Sequence, residues 1–384
     1  MSTFTETDER MALRKAVAEL GAKYGRDYFE QAAKEGRKTS ELWLEIGKAG
    51  YLGINIDEEY GGGGGGIGDI AAVCEELAAA GSPLLLMVVS PAIVGTIITQ
   101  YGTDEQKQRW LPGICDGTST MAFAITEPDA GTNSHNITTT ARRDGDGWIL
   151  KGQKIYISGV DEADNVLVVA RTEDARTGKL KPCLFVVPTD APGLEATPIP
   201  MEIVSPEQQF SVFIDDVKLP ADALVGDEDA GLVQLFAGLN PERVMAAAYS
   251  LGVARLAMRK ATEYARTRQV WGTPIGAHQG LAHPLAACQI EIELARLMTQ
   301  KAAWLIDSGQ DAGTAANSAK YAAAEAAART VDQAIQTHGG NGLSQEYGVA
   351  ALLAISRVSR IAPVSREMIL SFVAQHDLQL PRSY

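Results

Sequence analysis

From Gly231 onward, apolar residues recur every three or four positions through Pro241–Arg268, Leu281–Ser308, Gly313–His338 and Tyr347–Gln375. That is the period of a helix with one buried face. No such segment can bury its own stripe, so four of similar length are satisfied most economically by packing on one another as a four-helix bundle. Asn240 before Pro241 reads as an N-cap, Pro241 as the first helical residue and Glu242 as a first-turn acid that complements the helix dipole.

The rest of the chain divides around a change of period. Residues from about Thr7 to Leu111 read as helical: Glu9–Phe29 at helical spacing, Thr39 and Ser40 capping Glu41–Ala49, and Ile70–Ala80 with Glu75 and Glu76 on its exposed face. Gly61–Gly66 has neither a Gly-Lys-Ser/Thr ending nor a preceding strand, so it is expected to be a mobile surface turn rather than a phosphate cradle. Between Thr120 and about Pro220 short apolar stretches alternate with Gly, Asp and Pro. Thr138–Arg142 and Trp148–Ile157 flank Asp144-Gly145-Asp146-Gly147, a hairpin signal. Val166–Ala170, Cys183–Val187 and Phe210–Ile214 are further strands. The expectation is an α+β multi-domain chain: a helical unit over 1–119, a β-barrel-like unit over 120–230 and the bundle over 231–384.

Composition narrows the partners. A formal charge of −14 disfavours nucleic acid, which needs a basic surface, although an acidic protein can still hold an anionic cofactor locally. Apolar runs are broken by Lys, Glu, Gln or Gly before they reach membrane-spanning length, so no stable membrane association is expected. Met1–Arg10 is acidic and polar, without a signal or transit pattern, and points to the cytoplasm. Cys74, Cys115, Cys183 and Cys288 are scattered without metal spacing, which favours reduced structural thiols, and the dispersed histidines suggest no metal site.

The densest chemistry lies in Ala124-Ile125-Thr126-Glu127-Pro128-Asp129-Ala130-Gly131-Thr132-Asn133, where hydroxyls, a carboxylate and Ala-Gly backbone follow the hydrophobic Phe123. Alone it is a loop able to grip a ligand. It resembles the Thr-Glu-Pro-x-Ala-Gly-Ser signature of the acyl-CoA dehydrogenases. Further fragments follow in that family's order: Lys151-Gly152-Gln153-Lys154-Ile155-Tyr156-Ile157-Ser158-Gly159, then Arg268-Gln269-Val270-Trp271-Gly272-Thr273-Pro274-Ile275 with Gln279, then Gln336-Thr337-His338-Gly339-Gly340-Asn341-Gly342. By themselves these are a strand with alternating faces and two helix ends with glycine caps.

The resemblance implies FAD as cofactor, an acyl-CoA thioester as substrate, and a three-part fold assembled as a homotetramer, a dimer of dimers, that passes electrons to an electron-transferring flavoprotein in fatty-acid β-oxidation. It implies that Phe123, Ile125, Thr126 and Thr132 lie against the flavin, and that Gly131 and Thr132 lead to the thioester. Tyr156 and Ser158 replace the usual Trp and Thr beside the flavin ring, keeping a π-face and a hydroxyl. Arg268 falls to the FAD diphosphate, with Trp271 and Gln279 also contacting a neighbouring subunit's cofactor. A guanidinium fork suits diphosphate oxygens. Gln336, Gly339 and Gly340 complete that contact, and Glu346 and Tyr347 continue the pattern.

Most members carry the proton-abstracting Glu late in the chain, where this sequence reads Ala362-Pro363-Val364-Ser365. The Glu is absent, Pro363 has no N–H to polarise the thioester carbonyl, and Ser365 matches a hydroxyl contact to FAD. Ala362 in place of the usual Tyr suggests extra room. A minority, including long-chain and isovaleryl types, carries the base before an Arg at the start of the long bundle helix, and Asn240-Pro241-Glu242-Arg243 stands there. The resemblance therefore assigns catalysis to Glu242 and substrate contact to Asn240 and Arg243. Two other functions remain compatible with the sequence: a flavin monooxygenase or oxidase on the same fold, and a non-catalytic acyl-CoA or flavin-binding protein.

Overall fold

The computed structural model describes residues 6–173, 178, 180–228 and 231–382. Residues 1–5 of the acidic N-terminal stretch lie outside the described residues. Five helices come first: α1 (Asp8–Glu35), α2 (Ser40–Lys48), α3 (Ile67–Ala80), α4 (Thr96–Tyr101) and α5 (Asp104–Asp116), with a buried π-helix over Val88–Gly95. Glu75 and Glu76 are not exposed. They lie 3% and 6% accessible because Arg14 and Arg255 grip both carboxylates at 2.7–2.9 Å, so charge pairing replaces solvent on that face of α3. Gly61–Gly66 is a fixed turn. Each amide finds an acceptor, and a Cβ on Gly62 would sit 2.0 Å from the Ile56 carbonyl oxygen.

Among the described residues eight strands follow: β1 (Met121–Ala124), β2 (Thr140–Asp144), β3 (Gly147–Ser158), β4 (Asn165–Glu173), β5 (Leu180–Pro188), β6 (Leu194–Ile199), β7 (Gln209–Leu219) and β8 (Leu224–Val225). They form one sheet in the order β6-β7-β3-β2-β4-β5-β8, with β1 parallel to β4. The hairpin forms as the sequence signals, Asp144 opposite Gly147 and Gly145 at φ 63. The β unit forms as expected, as one sheet that does not close fully: among the described residues β6 and β8 are edges that do not pair. The helices remove the need for closure by covering it. Side chains alternate across β4, so Leu167 and Val169 join the helical core, whereas Val166, Val168 and Ala170 pack with Trp148 and Phe185 in the sheet's own core.

The remaining helices are α6 (Gly231–Thr267), α7 (Gln279–Asp307), α8 (Gly313–His338), α9 (Leu352–Ile361) and α10 (Arg366–His376), with a short hairpin of β9 (Gln269–Val270) and β10 (Thr273–Pro274) after α6. Two expectations change here. The fourth bundle segment is two helices, broken at Ala362-Pro363, since Pro can neither donate to the helix ladder nor follow a helical residue easily. Helix α6 begins ten residues before Pro241 and runs through it, so Asn240 is not an N-cap and Glu242 is not in a first turn. Burial of Leu235 and Gln234, and the close approach of Gly238 to Ile97 and Ile93, hold the extra turns in place.

Candidate active site

Three groups of side chains stand out, each positioned by different elements. The first surrounds the loop after β1. Ile155 N–H donates to the Thr126 carbonyl at 2.9 Å, and the Lys154 ammonium donates to the Ile125 carbonyl at 3.1 Å and to Glu127 Oε1 at 2.9 Å. Glu127 also accepts from Thr138 N–H and Oγ1 and from Thr139 N–H at 2.5–2.9 Å. Lys154 and Glu127 are 0% and 3% exposed, a buried pair that few carboxylates could join unless this fully bonded. Those donors hold the Glu127 carboxyl down at about 2 against the opposing effect of burial, while burial pulls the Lys154 ammonium down to about 8.

The pair therefore locks the Ile125–Thr126 backbone onto β3. An irregularity in the β3–β7 pairing between Lys154 and Ile157 puts Tyr156 at φ 57, and the residue is 57% exposed. Bulges re-aim side chains in this way. Phe123 is buried, Ile125, Thr126 and Ser158 are half-buried, and Gly131 and Thr132 are exposed in the same loop. The Ser158 hydroxyl bonds Gln209 at 3.0 Å.

The second group gathers at the ends of α6 and α8. Tyr264 stacks on His338 at 4.4 Å and accepts from Asn341 at 3.0 Å, and Tyr347 packs edge-on against both rings. This brings the turn carrying Gly339 and Gly340 beside the last turn of α6, one turn before Arg268. Trp271 sits in the β9–β10 hairpin at φ 51 and is 90% exposed. Arg268, Gln279, Gln336, Gly339 and Gly340 are exposed, Glu346 is exposed on the turn after them, and Cβ positions on Gly272, Gly339 and Gly340 face open space.

The third group lies inside the bundle. Arg243, 8% exposed, donates through Nε to Asn317 Oδ1 at 3.1 Å and through Nη1 to the Leu239 carbonyl at 2.7 Å and Asn240 Oδ1 at 3.3 Å. Its Nη2 makes no hydrogen bond to a described residue. Glu242 is half-buried and makes no hydrogen bond or ion pair with any described residue. Burial pushes its carboxyl up to about 7, opposed by the positive charges of Arg243 and Lys320. A carboxylate that is desolvated, unbonded and still reachable is poised to accept a proton near neutral pH. Lys320, 1% exposed on α8, donates to the Val364 carbonyl, which ties this group to the 362–365 link between α9 and α10. In that link Ser365 caps α10, its Oγ accepting from Met368 N–H at 3.3 Å. The hydroxyl proton is left to donate elsewhere.

The side chains present fit a flavin dinucleotide. Two aromatic rings stand exposed on left-handed backbone, a conformation non-glycine residues adopt rarely and at a cost. Arg268 has no protein acceptor for its guanidinium among the described residues, and glycine-lined space surrounds the α8 turn. Planar rings, a free guanidinium and close backbone suit an isoalloxazine and a diphosphate.

Sequence reasoning had no role for Lys154, Asn317 or Lys320. The last two were detectable as polar residues on the face of an Ala-rich helix that otherwise buries Ala316, Ala319, Ala323 and Ala327. The four cysteines are buried, and among the described residues none forms a disulfide. No helix among the described residues is long and apolar enough to cross a membrane.

Models of the N-terminal, middle and C-terminal domains of acyl-CoA dehydrogenase match residues 7–118, 122–215 and 229–377. The chain is 67% identical to acyl-CoA dehydrogenase FadE12 of Mycobacterium tuberculosis strain H37Rv, across 100% of this chain and 99% of that one. Among solved structures it superposes on butyryl-CoA dehydrogenase from Megasphaera elsdenii with a TM-score of 0.92 at 29% identity, covering 98% of this chain and 100% of that one. It superposes equally, TM-score 0.92 at 25% identity, on the FAD complex of PigA, over 98% of this chain and 99% of that one.

Proposed function

The chain belongs to the acyl-CoA dehydrogenase family and is an FAD enzyme, and from that premise we propose that Glu242 removes the α-proton of a saturated acyl-CoA thioester to leave the trans-2-enoyl-CoA. Bound FAD supplies the acceptor for the β-hydrogen and its electron pair. The observation that carries the reading is the state of Glu242: half-buried, free of hydrogen bonds and held at about 7. A base near the working pH combines a useful ionised fraction with enough basicity to take a weakly acidic proton. Arg243 opposes that shift only through its charge, because its Nε and Nη1 are directed to Asn317, Leu239 and Asn240 and it forms no ion pair with Glu242.

The remaining assignments follow from the same premise. Phe123, Ile125, Thr126, Thr132, Tyr156, Ser158 and Ser365 contact the FAD of their own subunit. Arg268, Trp271, Gln279, Gln336, Gly339 and Gly340 reach that of a neighbour, a role supported by the exposure of the Trp271 ring. Gly131, Thr132, Asn240 and Arg243 contact the acyl-CoA. Helix α7 supports a homotetramer: Ile290, Leu294, Leu297 and Trp304 share one face and are 42–62% exposed, an apolar stripe that a partner copy would cover. The three units, 1–119, 120–230 and 231–384, act as one cytoplasmic enzyme of fatty-acid β-oxidation with an electron-transferring flavoprotein as acceptor.

The test is Glu242→Gln in the FAD-loaded enzyme. The variant keeps size and shape, so acyl-CoA still binds and perturbs the flavin spectrum, but anaerobic bleaching by saturated acyl-CoAs slows at least ~10²-fold. Bleaching at the parent rate would remove Glu242 from the chemistry.

A further inference from the structure

Lys320 is an ammonium buried to 1% exposure, yet it forms no ion pair with any described residue. Its one hydrogen bond goes to the Val364 carbonyl, in the link where Pro363 supplies no N–H. One turn earlier on the same face of α8, Asn317 holds the Arg243 guanidinium at 3.1 Å. The α8 face thus grips both the residue after Glu242 and the link between α9 and α10. An apolar side chain of this length would be cheaper to bury, because desolvating an unpaired charge is costly.

The charges around Lys320 explain why it stays unpaired. From α6 it faces Glu242 and Arg243, and from its own helix and α10 it faces Glu325 and Glu367. Glu325 is engaged by Arg360 at 2.7 Å and Arg366 at 3.3 Å, and Glu367 by Arg366 at 3.1 Å. Glu242 is left as the carboxylate with no partner in contact, and Lys320 acts on it through space.

We infer that Lys320 is a positioning residue for proton abstraction: its ammonium ties the Val364 carbonyl, and with it the turn after Pro363, to the α8 face that also holds Arg243, and keeps a positive charge within electrostatic reach of the Glu242 carboxylate. The inference rests on Glu242 being the base. The sign of the effect follows. A neighbouring cation favours the ionised carboxylate, so removing it raises the pKa of Glu242 and lowers its ionised fraction at neutral pH.

The experiment measures anaerobic flavin reduction against pH for the holoenzyme and for Lys320→Met, Lys320→Gln and Lys320→Arg. The probe is the fastest-reducing member of a saturated series from butyryl- to palmitoyl-CoA. The parent rate climbs through a limb at about 7. In Lys320→Met and Lys320→Gln the limb moves up by about one pH unit, so reduction at pH 7 slows about fivefold. The rates approach the parent's in alkali, where burial, which brings Lys320 itself down to about 8, has already discharged the parent ammonium. Lys320→Arg, which retains the charge, keeps the limb in place. Lys320→Gln retains a donor for the Val364 carbonyl, so it carries the test if Lys320→Met loses its fold or its FAD. An unmoved limb in a neutral variant that retains FAD, or a rate lowered by one factor at every pH, would overturn the inference. Glu242→Gln separates the two readings: if it is inactive while the Lys320 limb stays put, only the role of Lys320 fails, whereas if it reduces flavin at the parent rate the base itself is misassigned.

Discussion

Replacing Glu242 by Gln should make the protein more stable in alkali, an outcome opposite to that of losing an ordinary surface charge. The carboxyl has a pKa of about 7 in the fold against about 4.5 in the unfolded chain. A raised carboxyl pKa means that the folded state binds its proton more tightly. The stabilisation is therefore complete below the unfolded value and is lost as pH rises through the folded one. A difference of 7 minus 4.5 corresponds to about 3 kcal/mol at ~1.4 kcal/mol per pH unit. Glu242 retains some contact with solvent, so about 2 kcal/mol is the working expectation between pH 5 and 8.5. Gln cannot ionise and escapes that penalty. Because Glu242 has no hydrogen bond to lose, Gln should match the parent in acid. The assay is thermal unfolding of both FAD-loaded proteins across this pH range. Relative to parent, the Tm of Glu242→Gln should climb by about 2–6 °C from acid to alkali, the smaller figure if the whole chain unfolds together and the larger if the helical bundle melts alone. A Tm difference that stays flat with pH would mean a solvated carboxylate, and with it the argument for a base poised near neutrality would fall. A charge in the first turn of a helix would give that flat result, so the measurement also tests whether α6 runs through Pro241 in solution.

Arg268→Ala should lower FAD retention through gel filtration at least tenfold, since a methyl group cannot replace a guanidinium against a diphosphate, and unchanged FAD affinity would remove Arg268 from the cofactor contact. Lys154→Met should destabilise the fold by about 3 kcal/mol, read from denaturant unfolding, because it leaves the Glu127 carboxylate buried without its cation. FAD should be lost with it as the Ile125–Thr126 backbone comes free of β3. A Lys154→Met protein of parental stability would show that the three Thr138 and Thr139 donors suffice for Glu127.

The sequence by itself determined the α, β, α order, because helical and strand periods are local consequences of which face must be buried. It also picked out the fragments proposed to meet the cofactor, because Gly-rich turns, an Arg and aromatic residues keep their spacing wherever the chain folds. What it misread were features decided by neighbours distant in the chain. Asn240-Pro241 carries every local mark of a helix start, yet packing of Leu235 and Gly238 against the π-helix and α4 carries α6 through it. Glu75 and Glu76 look solvated until Arg14 and Arg255 arrive from α1 and α6. The same limit governs the proposed base. A glutamate before an arginine can be named from sequence, but its proton affinity is set by how much water the bundle removes, by Arg243 beside it and by Lys320, nearly eighty residues away along the chain. Desolvation and long-range charge are properties of the packed volume, and only the tertiary structure assembles that volume.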